Sequence, residues 1–356
     1  MNGSDGRTVV VAGASGVVGT ALIRALGSFN LIGLVHKRSP ADASVDTVGC
    51  DVTESRLGLS ETDFRELAAR TDAIVHAAGL TDFGAEEERH RTINTEGTRH
   101  MLELASAADA PLHYISTSYT RAISDAAMRK LDPSNTLYNY VSSKQAAERL
   151  IVESGVPYVI YRPSNLIGDS TTGEMPLKEF VPQLAVGLLR GRYPVVPARP
   201  GARLDIVPQD VCARAVAAVL EAGDVGDEHW LTYGDESPTI VELVDVCTDF
   251  ARRIGSPIER PTIFDPDDPE QIADALQRLP VVVRSVFKRM ILGRLLDLND
   301  GMTAIGVFPS SLGALGERYG LRVPPLADAL QRGLEFAAKA KRLGPGRRSR
   351  LRPRRS

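Results

Sequence analysis

Near its start the chain runs T-V-V-V-A (Thr8–Ala12), an unbroken apolar stretch of the kind that a strand buried on both faces requires. Val17–Leu26 then reads as a helix and Leu31–Val35 as a second strand. Further strand patterns fall at Ala73–Ala77 (A-I-V-H-A), Leu112–Ser116 (L-H-Y-I-S) and Pro157–Tyr161 (P-Y-V-I-Y). Helical patterns over Glu86–Ala107 and Asn139–Ser154 lie between them. This alternation predicts an α/β protein with a doubly wound parallel sheet, covered by helices on both faces. Beyond Pro163 the pattern fragments, with prolines at 176, 182, 194, 197, 200 and 208, and helical stretches return at Gln209–Glu221, Ile240–Ile254 and Glu270–Leu296. The expected organisation is a first domain over 1–165, to whose sheet 204–232 returns. A smaller, mainly helical lobe over 166–340 follows, and then a basic tail over 341–356.

Composition narrows the classes. With 43% apolar and 24% charged residues in 356, the chain has ample material for a core, which excludes disorder of the whole. No uninterrupted apolar stretch approaches the ~18 residues of a membrane span. The start, M-N-G-S-D-G-R-T, lacks the apolar centre of a signal peptide, so a cytoplasmic location is expected. Cys50, Cys212 and Cys247 are widely separated, which suits neither a disulfide framework nor a zinc site, and no metal is expected. The net charge of −3 conceals an asymmetry: Lys341–Ser356 carries eight cations and no acid, leaving −11 on the rest. A tail of that composition reads as a solvated end. An acidic body argues against a dedicated nucleic-acid binder.

The first strand leads directly into G-A-S-G-V-V-G, with Gly13, Gly16 and Gly19 in G-x-x-G-x-x-G spacing around Ser15, Val17 and Val18. Glycine permits the tight turn and a close backbone approach to a pyrophosphate, which the following helix start attracts. A glycine triplet alone is a weak signal, but here it has the strand-to-helix context that the motif needs. The second strand ends in His36, Lys37 and Arg38, and no acid occurs between Gly13 and Asp42 to receive an adenosine ribose. A cationic cluster there suits a 2′-phosphate, so NADP(H) is the expected cofactor; the plainer alternative is a solvated basic turn.

Tyr140-Val141-Ser142-Ser143-Lys144 is the one Y-x-x-x-K in the chain, and positions i and i+4 share a helix face. A neighbouring ammonium is expected to lower the phenol's pKa from its free value of about 10 and ease proton exchange with a carbonyl oxygen.

With these motifs the chain resembles the short-chain dehydrogenase/reductase superfamily, in its extended, epimerase/dehydratase-like branch, over most of Thr8 to about Leu220. Besides the glycine turn and Y-V-S-S-K, the resemblance rests on C-D-V-T (Cys50–Thr53), H-A-A-G (His76–Gly79), N-T-E-G-T (Asn94–Thr98), Y-I-S-T-S (Tyr114–Ser118) and Y-R-P-S-N (Tyr161–Asn165). It implies a Rossmann-type sheet binding NADP(H) in the first domain and substrate in the second lobe. It further implies that Asp51 and Val52 border the adenine and that Ala77, Ala78 and Gly79 lie along the cofactor. Asn94 joins the cofactor site, although it could equally bond backbone between strands. Lys144 would hold the nicotinamide ribose beside Tyr140, and Pro163, Ser164, Asn165 and Leu166 would pass near the carboxamide. The family's Ser/Thr falls best on Thr117, flanked by Ser116 and Ser118. His76 reads as a packed strand residue, and the cysteines as small apolar ones.

R-P-S-N-L-I-G-D-S-T-T-G-E-M (Arg162–Met175) and L-D-I-V-P-Q-D-V (Leu204–Val211) are similar to segments of thioester reductases and fatty acyl-CoA reductases, the male-sterility-type branch. That implies reduction of an acyl thioester on CoA or a carrier protein to an aldehyde or alcohol, with Thr117 and Tyr140 on the oxyanion and Tyr140 as proton donor. Such units often share a long chain with adenylation and carrier domains; the length here leaves no room for either, so an acyl carrier is expected from a separate protein. The amphipathic, basic stretch Pro280–Leu296 could dock an acidic carrier helix or cover an acyl chain, or simply pack the second lobe. Two other functions stay open: an epimerase, dehydratase or alcohol/ketone oxidoreductase acting on a small molecule or nucleotide sugar, and a non-catalytic NADP(H) sensor.

Overall fold

The computed structural model describes residues 6–40, 42–124, 131–177, 179–279 and 306–344. Thr8–Ala12 forms β1, α1 covers Val17–Ala25, β2 Asn30–Val35 and β3 Asp46–Gly49. Next come α2 (Glu61–Ala69), β4 (Ala73–His76), α3 (Glu87–His90) and α4 (Gly97–Ala108), the last two joined through a π-helical turn at Arg91–Glu96. β5 (Leu112–Ile115), α5 (Arg121–Ser124), α6 (Tyr138–Glu153) and β6 (Tyr158–Pro163) follow. The remaining strands are β7 (Asn165–Ile167), β8 (Val195–Pro197), β9 (Ile206–Pro208), β10 (Asp227–Leu231) and β11 (Thr262–Phe264). The remaining helices are α7 (Phe180–Leu189), α8 (Gln209–Ala222), α9 (Ile240–Arg253), α10 (Pro269–Gln277), α11 (Leu312–Tyr319) and α12 (Leu326–Ala340).

Seven strands make one parallel sheet in the order β10-β6-β5-β4-β1-β2-β3. The predicted doubly wound α/β architecture is therefore present. Side chains alternate across it as a two-sided strand must. Val9, Val11, Val75, Ile115 and Val159 pack toward α1 and α8, whereas Val10, Ala12, Ile74, Leu112 and Ile160 pack toward α2, α4 and the end of α6. The first of these clusters continues without a break into α7, α9 and α12 through Val181, Leu243 and Leu334. Two-stranded parallel pairs, β7 with β9 and β8 with β11, lie outside the main sheet.

Strand order reverses between β1 and β4, so their carboxyl ends open a crevice there, the usual ligand position in such sheets. The expected helix over Glu270–Leu296 begins as α10, but everything beyond Leu279 in it, including the basic stretch Pro280–Leu296, lies outside the described residues. So does the tail after Gly344. Among the described residues, no helix is long and apolar enough to cross a membrane.

Candidate active site

The glycine turn is dictated by contact. Gly13 has φ +82°, and a Cβ there would lie 2.6 Å from Ala77 C and Ala78 N; a Cβ on Gly19 would collide with the Gly13 carbonyl. The turn is thus pressed against the loop after β4. Gly16 caps α1 with no side chain in the way, and the first intrahelical bond runs from Thr20 N–H to Gly16 C=O (2.9 Å). The amides of Val17, Val18 and Gly19 precede that bond and are left for an anion at the positive end of the helix; Ser15 beside them is exposed. This donor set fits a dinucleotide pyrophosphate.

His36, Lys37 and Arg38 are exposed beyond the end of β2. His36 Nε2 lies 3.4 Å from an Asp51 carboxylate oxygen just past β3. Burial pushes the Asp51 pKa up, but hydrogen bonds from the Thr53 amide and hydroxyl and the charges of His36 and Lys37 leave it below the ordinary carboxylate value. Val52 packs on Gly97 of α4, and its carbonyl is 2.8 Å from His100 Nδ1.

A cavity of about 820 Å³ opens beside these elements. Among the sequence-derived candidates, Val18, Ala77, Ala78, Gly79, Asn94, Thr117, Tyr140, Lys144, Pro163, Ser164, Asn165 and Leu166 line it. The remaining cofactor candidates lie along the glycine turn and the ends of β2 and β3. Asn94 sits on the π-helical turn, where its Oδ1 accepts from Leu80 N–H (2.7 Å) and its Nδ2 donates to Ser143 Oγ (2.9 Å) and Leu80 C=O (3.2 Å). It thereby ties the loop after β4 to α6. Gly79 leaves it room, since a Cβ would stand 3.2 Å from Asn94 Oδ1 and 3.9 Å from Lys144 Nζ.

Tyr140 and Lys144 lie one turn apart on α6, and both are buried. Thr117 lies two residues beyond β5; its hydroxyl accepts from Tyr119 N–H at 3.4 Å and acts on the acidity of the nearby Tyr140 phenol. The flanking serines are placed differently: Ser116 Oγ donates to Glu148, and Ser118 Oγ is buried without a partner. Lys144 Nζ donates to the Ile115 carbonyl (2.7 Å) and stands 4.2 Å from the centre of the Tyr114 ring. The expected acidity of the phenol is not found. The Tyr140 pKa is not lowered but pushed up to about 12, because burial outweighs the lowering effect of the Thr117 hydroxyl and Glu179 acts in the same direction as burial. Burial also pushes Lys144 down to about 7, against the pull of Glu148.

A buried ionic group supports this floor. Arg162 forms a fork to Glu148 (3.0 and 2.8 Å), reaches Glu228 (2.6 Å) and lies 4.8 Å from the Trp230 ring centre. Asp205 braces the Pro163–Leu166 strap by accepting from Ser164 Oγ (2.5 Å) and from the amides of Tyr233 and Gly234. His76 is fully buried in β4, and burial holds it near 3, so it is neutral. Cys212 and Cys247 are buried on α8 and α9, and desolvation raises their pKa values, as it does that of half-buried Cys50; none is an activated thiol. Among the described residues no three His, Cys, Asp or Glu side chains converge to hold a metal.

Five further lining residues went unread in the sequence: Phe83, Glu179, Phe180, Leu184 and Tyr193. Phe83 approaches Tyr140 ring to ring at 5.2 Å. Phe83 sits in the loop after β4, and the others on or beside α7 in the proline-punctuated region; no motif announces any of them.

Fold and site together define a dinucleotide-binding α/β protein of the extended short-chain dehydrogenase/reductase type. The chain belongs to the family described as male sterility protein, an NAD-binding family whose model matches residues 32–216. Glycine betaine reductase ATRR of Emericella nidulans is 28% identical over 253 residues, covering 60% of this chain and 20% of that protein. The isonitrile lipopeptide synthase of Streptomyces coeruleorubidus is 34% identical over 155 residues, covering 41% of this chain and 10% of that protein. The matches thus span a fifth or less of these relatives' lengths. Among solved structures, the terminal R domain from the myxalamid PKS-NRPS biosynthetic pathway superposes with a TM-score of 0.72 at 24% identity, covering 94% of this chain and 91% of that one.

Proposed function

We propose that the protein is an NADPH-dependent reductase of acyl thioesters, carried on CoA or on an acyl carrier protein, with Tyr140 as proton donor. One observation carries the reading: Thr117, Tyr140 and Lys144 line one cavity together with the apolar side chains of Phe83, Phe180, Leu184 and Tyr193. The family and the names of its relatives, a reductase and a lipopeptide synthase, support it.

When bound, the dinucleotide supplies hydride to the thioester carbonyl. In this reading the hydroxyls of Thr117 and Tyr140, which line the same cavity, stabilise a carbonyl oxygen that gains charge. Tyr140 then gives its proton to that oxygen. The phenol stays protonated across the physiological range, so it is always ready to donate. Lys144, one turn away, orients the ribose and carries a positive charge toward the same oxygen. Collapse of the hemithioacetal expels the thiol and leaves an aldehyde, which a second cycle takes to an alcohol. No protein nucleophile is needed, in keeping with three thiols whose acidity burial suppresses.

The preference for NADPH over NADH rests on His36, Lys37 and Arg38, whose exposed cations suit a 2′-phosphate. In functional terms, residues 1–165 with 204–232 hold the dinucleotide, and the apolar wall from the second lobe receives the acyl chain. Tyr140→Phe is the direct test: turnover should fall by about 10²–10⁴-fold while NADPH binding persists. Retained turnover would remove Tyr140 from the mechanism.

A further inference from the structure

Glu179 occupies the N-cap position of α7, yet its carboxylate makes no capping bond. An N-cap side chain ordinarily accepts from the amide two or three residues on; Pro182 at the third position has no N–H, which leaves the Val181 amide, and Glu179 does not bond it. Freed from the cap, the half-buried side chain lines the cavity instead, on the wall formed by Phe180, Leu184 and Tyr193 and within electrostatic reach of Tyr140. Among the described residues no cation or hydrogen-bond donor meets it. Among the described residues Lys144 is the one cationic residue lining the same cavity, and it is engaged with the Ile115 carbonyl. A carboxylate withdrawn from water without a counter-charge is unfavourable, and burial accordingly pushes its pKa up. Asp82, the other acid at the cavity, is exposed and accepts from the Gly84 amide, so it is a rim residue.

We infer that Glu179 is a specificity residue that selects acyl groups carrying an amine, whose ammonium it pairs across the apolar cavity. The inference rests on the thioester-reductase reading and adds the substrate class to it. It has a consequence for rate as well as affinity. The Glu179 charge makes Tyr140 a weaker acid. A substrate ammonium would cancel that field, so an amino-acyl substrate would bring its own activation of the proton donor, whereas a neutral chain would not.

The test compares aminohexanoyl-pantetheine with its neutral isostere heptanoyl-pantetheine, and β-alanyl- with butyryl-pantetheine, in wild type and Glu179→Gln. Glutamine keeps the shape and removes the charge. The expected result is that the variant loses about tenfold or more in kcat/KM for at least one amino-acyl thioester, while its kcat for the matching neutral one rises. Glu179→Asp should restore the amine preference in part. Equal use of both members of each pair by wild type, or a parallel loss with both in Glu179→Gln, would overturn the inference. Silence of wild type with every thioester would instead contradict the reductase reading. The role of Glu179 is then decided by calorimetric binding of aminohexanol and heptanol to the NADP⁺-loaded protein. A preference for the amine that Glu179→Gln abolishes supports the inference, and no preference refutes it.

Discussion

Tyr140 and Lys144 share one helix face, and burial drives each toward its neutral form, the phenol up to about 12 and the ammonium down to about 7. The two shifts separate their pH signatures. Tyr140 stays protonated throughout the working range, so any alkaline loss of activity belongs to Lys144. Its folded-state pKa lies below the ordinary lysine value of 10.5, which means that the charge is present below about pH 7 and is lost as pH rises through it. The free-enzyme profile of kcat/KM for NADPH-dependent turnover should therefore decline above about pH 7. Lys144→Arg, which keeps its charge, should move that decline upward, and a limb that stays in place would assign it to another group. For cofactor choice, Lys37→Ala with Arg38→Ala should raise the KM for NADPH by about 10–100-fold and leave that for NADH nearly unchanged. A parallel rise for both cofactors would contradict the 2′-phosphate reading.

The segment Gly168–Glu174, part of the thioester-reductase signature, is scaffolding between elements. Asp169 accepts from the amides of Thr171 and Thr172 (2.9 and 2.7 Å), Ser170 Oγ donates to Asp210 of α8 (2.6 Å), and Glu174 reaches Arg24 of α1 (3.1 Å). Gly173, at φ +72°, lies so close to the Arg332 backbone of α12 that a Cβ could not fit. Gly173→Ala should cost roughly 2 kcal/mol or more in urea unfolding, through strain and displacement of α12. Arg162→Ala, which leaves the Glu148 carboxylate buried and unpaired between α6 and β6, should cost about 3–5 kcal/mol. What the sequence disclosed follows the same physics. Strands buried on both faces, such as β1 and β5, stand out as apolar runs, and the tight turn at Gly13 is legible because only glycine fits it. The edge strand β3 (D-T-V-G) is short and largely exposed and carries no such run. The π-helical turn that aims Asn94 inward has the same apolar spacing as an ordinary helix. The acidity of Tyr140 was misjudged because desolvation depends on what surrounds a residue in space, which Y-x-x-x-K spacing does not encode. Glu179 was invisible for a related reason: its place at the cavity depends on elements that are distant in sequence.

Across the molecule, a single apolar cluster joins the α1/α8 face of the sheet to α7, α9 and α12, so the wall that faces Tyr140 is anchored to the sheet that presents it. The glycine turn, the Tyr140–Lys144 face and the cavity wall therefore belong to one packed framework. On the proposed reading the cavity receives the thioester and its arm, presented by CoA, pantetheine or a carrier. The decisive measurement is NADPH oxidation by the purified protein with acyl-pantetheine thioesters, products being identified by mass, beside the Tyr140→Phe variant. A thioester reductase predicts thioester-dependent oxidation with aldehyde or alcohol released in wild type and near silence in the variant. Turnover confined to free aldehydes, ketones or sugar nucleotides, or equal turnover in the variant, would contradict it.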